Sequence, residues 1–180
     1  MKDELRVELR AQRRALTTEQ RIAADAVITA AVLNDESVIT AKCVHVYLST
    51  KFEVSTAEII RTLMSRGVMI VVPWMLPDGS MGATRLELSD LDGIDQTGPR
   101  GVPCAPALRE VDTSLVDVVL VPLVGADRAG HRLGMGAGHY DRFLAAHPRA
   151  TSIGLAFACQ LVDQLPTELH DIALTRILTE

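Results

Sequence analysis

Apolar positions change period several times along the chain, and each change marks an element. From Lys2 to Leu16 the sequence KDELRVELRAQRRAL places Leu5, Leu9 and Leu16 on one side of a helical projection. Thr17 followed by Gln20 has the spacing of a capping box and predicts a second helix running towards Asn34. Cys43 to Ser49 (CVHVYLS) is apolar and β-branched, the composition of a buried strand. Ser55 and Glu58 repeat the capping pattern ahead of a helix to about Arg66, Gly67 ends it, and Val68 to Val72 (VMIVV) reads as the next strand. A strand–helix–strand unit of this length is typical of parallel sheets.

Farther on, Pro73, Pro77, Asp78 and Gly79 predict a break, Thr84 to Leu88 a short edge strand, and Asp92 to Arg109 a surface loop. Val116 to Pro122 (VDVVLVP) is an almost wholly apolar strand. A Gly-rich loop follows, then a helix from about His139 to Ala146, and strands at Ser152 to Phe157 and Ile172 to Thr179. Strands alternating with helices, with buried-strand composition, predict one three-layer α/β/α domain over residues 1–180 with a mainly parallel central sheet.

Composition narrows the function classes. Aromatic residues are only 3% of the 180 positions, so the core must be aliphatic. No apolar run approaches the roughly 18 to 20 residues that span a bilayer, and the charged start is unlike a signal peptide. A cytoplasmic protein without membrane contact is expected. Cys43, Cys104 and Cys159 are widely spaced and fit three reduced thiols. The formal charge of -5 argues against nucleic acid as a partner. An acidic protein that handles anions must gather its positive charge locally, so the positions of Arg and Lys carry information.

The chemistry concentrates between Gly125 and Gly138, GADRAGHRLGMGAG, which holds five of the twelve glycines. Between an apolar strand and a helix, unobstructed backbone amides can bind phosphate oxygens, and Arg132 can add charge-assisted bonds. A flexible connector is the plain alternative. The segment is neither a P-loop, since no Lys-Ser/Thr pair closes it, nor a Rossmann fingerprint. Lys2 and Arg6 are four apart and share a helix face, which on spacing alone reads as a solvated basic face continuing through Arg10 and Arg13. Asp141 alone would suit the first turn of its helix. His45 and His139 have no metal-ligand spacing and read as packing or ligand-lining residues.

VDVVLVPLVGADRAGHRLGMGAGHYDRFL, Val116 to Leu144, closely resembles the signature region of 5-formyltetrahydrofolate cyclo-ligases. So do the C-terminal run from Ile153 to the closing Thr-Glu, KDELR at Lys2 to Arg6, and YLSTKFEVSTAEII at Tyr47 to Ile60. The resemblance implies a fold like that of sugar-phosphate isomerases and CoA transferases. It also implies ATP-dependent conversion of 5-formyltetrahydrofolate to 5,10-methenyltetrahydrofolate, a ligase reaction of one-carbon metabolism, by a monomer that uses Mg2+.

By the same resemblance, Lys2, Asp3, Glu4, Leu5 and Arg6 contact ATP, with Arg132, Leu133, Gly134, Met135, Gly136, Ala137, Gly138, His139 and Tyr140. Arg132 and Tyr140 are the catalytic pair. Leu48 and Glu53 contact the folate, with Met135, Gly136, Ala137, Gly138 and His139, and Glu53 is expected in a pocket continuous with that loop. Asp141 and Asp171 hold the metal. Met135, Ala137, His139 and Thr175 depart from the family pattern, and Ala105–Pro106 stands near an expected Glu-Pro pair. An isomerase would bind phosphosugar without ATP or metal, and a CoA transferase would need a Glu nucleophile in a matching motif, which is missing here; a diverged member that binds nucleotide or folate without turnover is the more serious rival.

Overall fold

The computed structural model describes residues 2–94, 102–168 and 170–180. Helix α1 spans Lys2–Ala15 and α2 Thr18–Leu33. The Thr17–Gln20 capping box forms as the sequence predicts, with both reciprocal bonds present. A short helix α3, Glu36–Thr40, precedes strand β1, Cys43–Val46, and α4, Ala57–Ser65, leads to β2, Met69–Met75. Then come β3 (Met81–Arg85), β4 (Val118–Pro122), β5 (Gly125–Asp127) and β6 (Arg132–Leu133). The chain ends with α5 (His139–Ala146), β7 (Thr151–Leu155), β8 (Leu161–Val162) and β9 (Arg176–Leu178).

Six strands form the main sheet in the order β3-β2-β1-β4-β7-β9, and all neighbours are parallel except β2 and β3. On one face α2, α3 and α4 supply Ile28, Val32, Val38, Ile59, Ile60 and Leu63 to a core with Val44, Val46, Leu120 and Ile153. On the other face α5 packs Phe143 and Leu144 against Val71, Val119 and Val121. Alternating residues of β4 thus feed both cores, which is why it reads as an unbroken apolar run. The result is the predicted three-layer α/β arrangement.

Several expectations fail for local reasons. Pro73 does not end its strand, because it lies beyond the last β1 partner, Val71, and pairs only with Ala83 of β3. The Ser55–Glu58 box does not form: Thr56 is the N-cap without a side-chain cap bond, and its hydroxyl donates to the Tyr47 carbonyl instead. The edge strand lies at Met81–Arg85, and Leu88–Gly93 coils into a 3-10 turn. Part of the surface loop predicted from Asp92 lies outside the described residues. The Gly-rich segment is also more ordered than a loop. β5 and β6 pair within it and join β8 in a second sheet, β6-β5-β8. That sheet supports α1 through Leu9, Val124, Leu133 and Leu165. Gly125 makes this approach possible, since a side chain there would collide with Leu9.

Candidate active site

β1 is the point where the strand order reverses. The crossover after it runs through α4 on one face, and the connection after β4 runs through α5 on the other. Crevices beyond the carboxyl ends of strands at such a switch point are the usual ligand sites of open α/β sheets. The segments leaving β1 and β4 there carry Leu48, Glu53 and the glycine-rich run, and α1 lies across them.

The basic stripe of α1 is turned towards protein partners rather than left free in solvent. Lys2 Nζ donates to Asp171 Oδ2 and reaches Glu168 Oε1, both at 2.9 Å. Arg6 Nε donates to the Gly134 carbonyl at 2.9 Å while its Nη1 holds Asp3 at 2.6 Å. Arg10 Nη2 meets Met135 Sδ at 3.1 Å. Arg13 is buried and donates to the Leu123 carbonyl at 3.3 Å. Burial pulls the Arg13 guanidinium below its ordinary pKa, and the Glu53 charge partly offsets this. One face of one helix therefore faces the loop after β4 and the start of the glycine run.

Arg132, whose side chain is 4% exposed, donates to Asp141 Oδ1 and to the Ile172 carbonyl, each at 2.7 Å. Asp141 Oδ1 also accepts the Ile172 amide at 3.2 Å. Asp141 and Asp171, thirty positions apart, thus become near neighbours through Ile172. Both charges act on Arg132, opposing the fall in its pKa that burial causes. Asp171 Oδ2 is taken by Lys2 and by the Glu168 amide at 2.7 Å. Neither Asp141 Oδ2 nor Asp171 Oδ1 makes a hydrogen bond among the described residues. Among those residues no group of three His, Cys, Asp or Glu is arranged as a metal cage. Asp141 Oδ2 is left without a hydrogen bond among those residues and Asp171 Oδ1 faces only the His170 ring at 3.9 Å, so the two carboxylates could hold a hard cation that keeps most of its waters.

From Gly134 to Gly138 the backbone is free of regular pairing, and Gly136 and Gly138 take φ values of 101° and 65°. Gly138 occupies the N-cap of α5, where a left-handed backbone favours glycine. Met135 is exposed, and Arg142 braces the segment through the Ala137 carbonyl and the His139 ring. Tyr140 follows, with its hydroxyl buried and without a hydrogen-bond partner among the described residues. Burial, then the negative charge of Glu53, raises its pKa well above the ordinary tyrosine value, against the pull of Arg132.

Glu53 Oε2 accepts from the Thr50 amide and hydroxyl at 2.8 and 2.9 Å. The cavity it lines, about 350 Å³, is walled by residues of α2 and of the segment from Ser49 to Ser55, and does not include Gly134–Gly138. The Glu53 charge nevertheless reaches Tyr140, at the end of the glycine run. Leu48 and Leu133 are buried in separate core clusters, and Leu5 packs beside Leu133, so any ligand contact from them is through backbone or a side-chain edge. Asp3 is held by Arg6, and Glu4 is exposed.

His45 is wholly buried, with its ring 5.9 Å from that of Tyr140 and 4.7 Å from that of Phe143. Burial, then His147, depresses its pKa to about 3, so the ring is neutral. It packs against the back of Tyr140. Thr175 exchanges hydrogen bonds with Ser152 on β7, a structural role. Sequence reasoning missed Arg10 and Arg13 as inward-facing groups, although their spacing continues the Lys2–Arg6 stripe, and missed Glu168, for which no spacing signal exists.

Comparison with known proteins agrees with this arrangement. The model of the 5-formyltetrahydrofolate cyclo-ligase family matches residues 1–180. The 5-formyltetrahydrofolate cyclo-ligase of Escherichia coli K12 is 32% identical over 174 residues, 95% of this chain and 96% of that protein. The Mus musculus protein of the same name is 28% identical over 186 residues, 98% of this chain and 92% of its own. Among solved structures, a 5,10-methenyltetrahydrofolate synthetase from Mycoplasma pneumoniae superposes with a TM-score of 0.77 at 25% identity, covering 99% of this chain and 98% of that one. The Aquifex aeolicus 5,10-methenyltetrahydrofolate synthetase shares the fold, with a TM-score of 0.84 at 24% identity over 98% of this chain and 88% of its own. The chain belongs to the 5-formyltetrahydrofolate cyclo-ligase family.

Proposed function

We infer that this protein closes 5-formyltetrahydrofolate to 5,10-methenyltetrahydrofolate at the expense of ATP, releasing ADP and inorganic phosphate. One observation supports this most strongly beside the family: Lys2, Arg6 and Arg132 meet the glycine run and two carboxylates at one end of the sheet. The chemical obstacle is that an N5-formyl group is an amide with a poor electrophilic carbon. In the first step the formyl oxygen attacks the γ-phosphorus and the bond to the β-bridging oxygen breaks, giving ADP and an iminium phosphate. N10 then attacks the formyl carbon, loses its proton, and the C–O bond to phosphate breaks.

Phosphoryl transfer asks mainly for alignment and positive charge. Lys2, Arg6 and Arg132 supply the charge; the amides from Gly134 to His139, at the N-terminus of α5, supply neutral donors. Asp3, Glu4, Leu5, Leu133 and Met135 flank the nucleotide through backbone or edge contacts. Tyr140 offers its hydroxyl, unpaired among the described residues, to the reacting phosphate or formyl oxygen. The Glu53 carboxylate accepts from the pterin amino and ring N–H groups, beside Leu48, Gly136, Ala137 and His139. Asp141 Oδ2 and Asp171 Oδ1 would hold Mg2+, which supplies charge neutralisation between the phosphates.

The proposal includes a single domain over 1–180 acting as a cytoplasmic monomer without nucleic-acid or membrane partners. Following methenyl-folate absorbance with and without ATP tests it. ATP-dependent product formation is expected, and a folded protein that forms none would overturn it in favour of a binder without turnover.

A further inference from the structure

Four cations follow one another along the inward face of α1, and three of them hold protein oxygens. Lys2 meets Asp171 and Glu168, Arg6 the Gly134 carbonyl and Asp3, and Arg13 the Leu123 carbonyl. Arg10 differs. Its Nη2 rests on the Met135 thioether at 3.1 Å, and its Nε is shielded from solvent without a hydrogen bond among the described residues. No described carboxylate lies within salt-bridge distance of it. Of the four, Arg10 is the cation without an oxygen partner among the described residues.

A thioether is a weak acceptor for a guanidinium, and a charged donor left unpaired out of water is costly. Arg6 and Arg13 on either side add like-charge repulsion. An oxyanion beside Met135 relieves both. The helix fixes where that anion stands. A side chain on Gly136 would come within 3.7 Å of the Arg6 guanidinium, so Arg6 covers the glycine run. The Arg14 guanidinium carbon lies 5.6 Å from the centre of the ring of Phe52, the neighbour of Glu53. Arg10 is one turn from each, about 6 Å along the helix axis. It therefore stands midway between the end of the crevice assigned to the nucleotide phosphates and the end assigned to the folate, where a phosphoryl group changes hands.

We propose that Arg10 is a further catalytic residue, which leaves Met135 to take the oxygens of the phosphoryl group as it passes from ATP to the formyl oxygen, and holds them in the iminium phosphate. This rests on the ATP-dependent reading of the site. Arg10 makes and breaks no covalent bond. The formyl oxygen–phosphorus bond forms as the bond to the β-bridging oxygen breaks, and when N10 has attacked, phosphate leaves with the C–O electron pair and the proton of N10 is released. The planar fork of a guanidinium can bond two phosphoryl oxygens at once throughout. Because the contact is completed only as the group moves towards the folate, it stabilises the transition state more than bound ATP.

Arg10→Gln and Arg10→Lys in the full chain test this. Arg10→Gln should lower kcat about a hundred-fold while the KM for ATP stays within about two-fold of the parent's, the reverse of what is expected for Lys2→Ala. Arg10→Lys keeps the charge but not the fork and should recover part of the lost kcat. The melting temperature of Arg10→Gln should be unchanged or raised, since the bond given up is to a thioether. An unchanged kcat in folded Arg10→Gln overturns the proposal, and so does a loss confined to the KM for ATP, which would make Arg10 a ground-state nucleotide contact. A fall in kcat that tracks a fall in melting temperature and is not recovered by Arg10→Lys overturns it as well. A parent protein that forms no methenyl product removes the proposed reaction instead. The ADP-loaded protein titrated calorimetrically with inorganic phosphate then still tests the anion site: binding weakened about ten-fold by Arg10→Gln supports it, and binding that Arg10→Gln leaves unchanged overturns it.

Discussion

Lys2 Nζ and Asp171 Oδ2 lie 2.9 Å apart, so the cation assigned to phosphate and the carboxylate assigned to metal are each other's partners. A phosphate can take over one side of that pair and a divalent cation the other, without leaving a charge unmatched. Burial pulls the Lys2 pKa down, but its bonds to Asp171 and Glu168 outweigh this and leave it raised. Burial pushes Asp171 up, and Lys2 with the Glu168 amide brings it below the ordinary carboxylate value. A raised lysine contributes stability below its unfolded pKa, about 10.4, and a depressed aspartate above its own, about 3.9. The pair is therefore constant across neutral pH.

Lys2→Ala should raise the KM for ATP about ten-fold or more and cost at most about 1 kcal/mol of stability, because the pair is partly solvated. Initial rates against ATP concentration, with a urea melt, check this. Unchanged ATP dependence would remove Lys2 from the nucleotide site.

The two carboxylates should differ in what they hold together. Asp141 neutralises an Arg132 that is 4% exposed, so Asp141→Asn is expected to cost about 3 kcal/mol as well as turnover. That is more than a first-turn helix residue would cost. Asp171→Asn, whose partner Lys2 is 22% exposed, should cost about 1 kcal/mol yet lower turnover at least about a hundred-fold. Melts and the Mg2+ dependence of the rate separate the two; an Asp171→Asn protein with normal turnover and normal Mg2+ dependence would contradict the metal assignment.

How far the sequence disclosed this varies by element. Buried parallel strands such as Val118–Pro122 announce themselves because both faces are apolar, and the Thr17–Gln20 cap because it is local. Strand β2 continues through Pro73, against the expected break, because Pro73 lies beyond the last β1 partner, a fact of sheet order invisible in the local sequence. Arg13 and Glu168 were illegible for a related reason. Their partners, Leu123 and Lys2, are more than a hundred positions away, so only the folded chain shows them as part of the site. The juxtaposition of Asp141 with Asp171 through the Ile172 amide is of the same kind.

Tyr140→Phe removes a buried hydroxyl that has no partner among the described residues. Deleting an unsatisfied polar group should leave stability unchanged or raise it by up to about 1 kcal/mol, while turnover falls. A thermal scan and kcat check this together. A marked loss of stability would show that the hydroxyl serves the fold.

Asp127 tests the scaffold beneath the glycine run. Its carboxylate, 2% exposed, accepts from the amides of Ala129, His131 and Leu165 and from the His131 ring. Burial raises its pKa, but the Leu165 amide and His131 outweigh that and leave it depressed. The stability it contributes is present above the unfolded value, about 3.9, and is lost as pH falls through the folded one. Asp127→Ala should cost about 2 to 4 kcal/mol at neutral pH, and the difference from the parent should narrow as the solution is acidified below about pH 4. Denaturant melts across that range provide the comparison.

The central claim is that the formyl oxygen itself is phosphorylated. 5-Formyltetrahydrofolate labelled with heavy oxygen in the formyl group, turned over with ATP in unlabelled water, should deliver its label to the released inorganic phosphate, one oxygen for each methenyl product and each ADP. Mass analysis of that phosphate reads the outcome directly. Label recovered in water or formate, or product formed without matching ADP, would contradict the account.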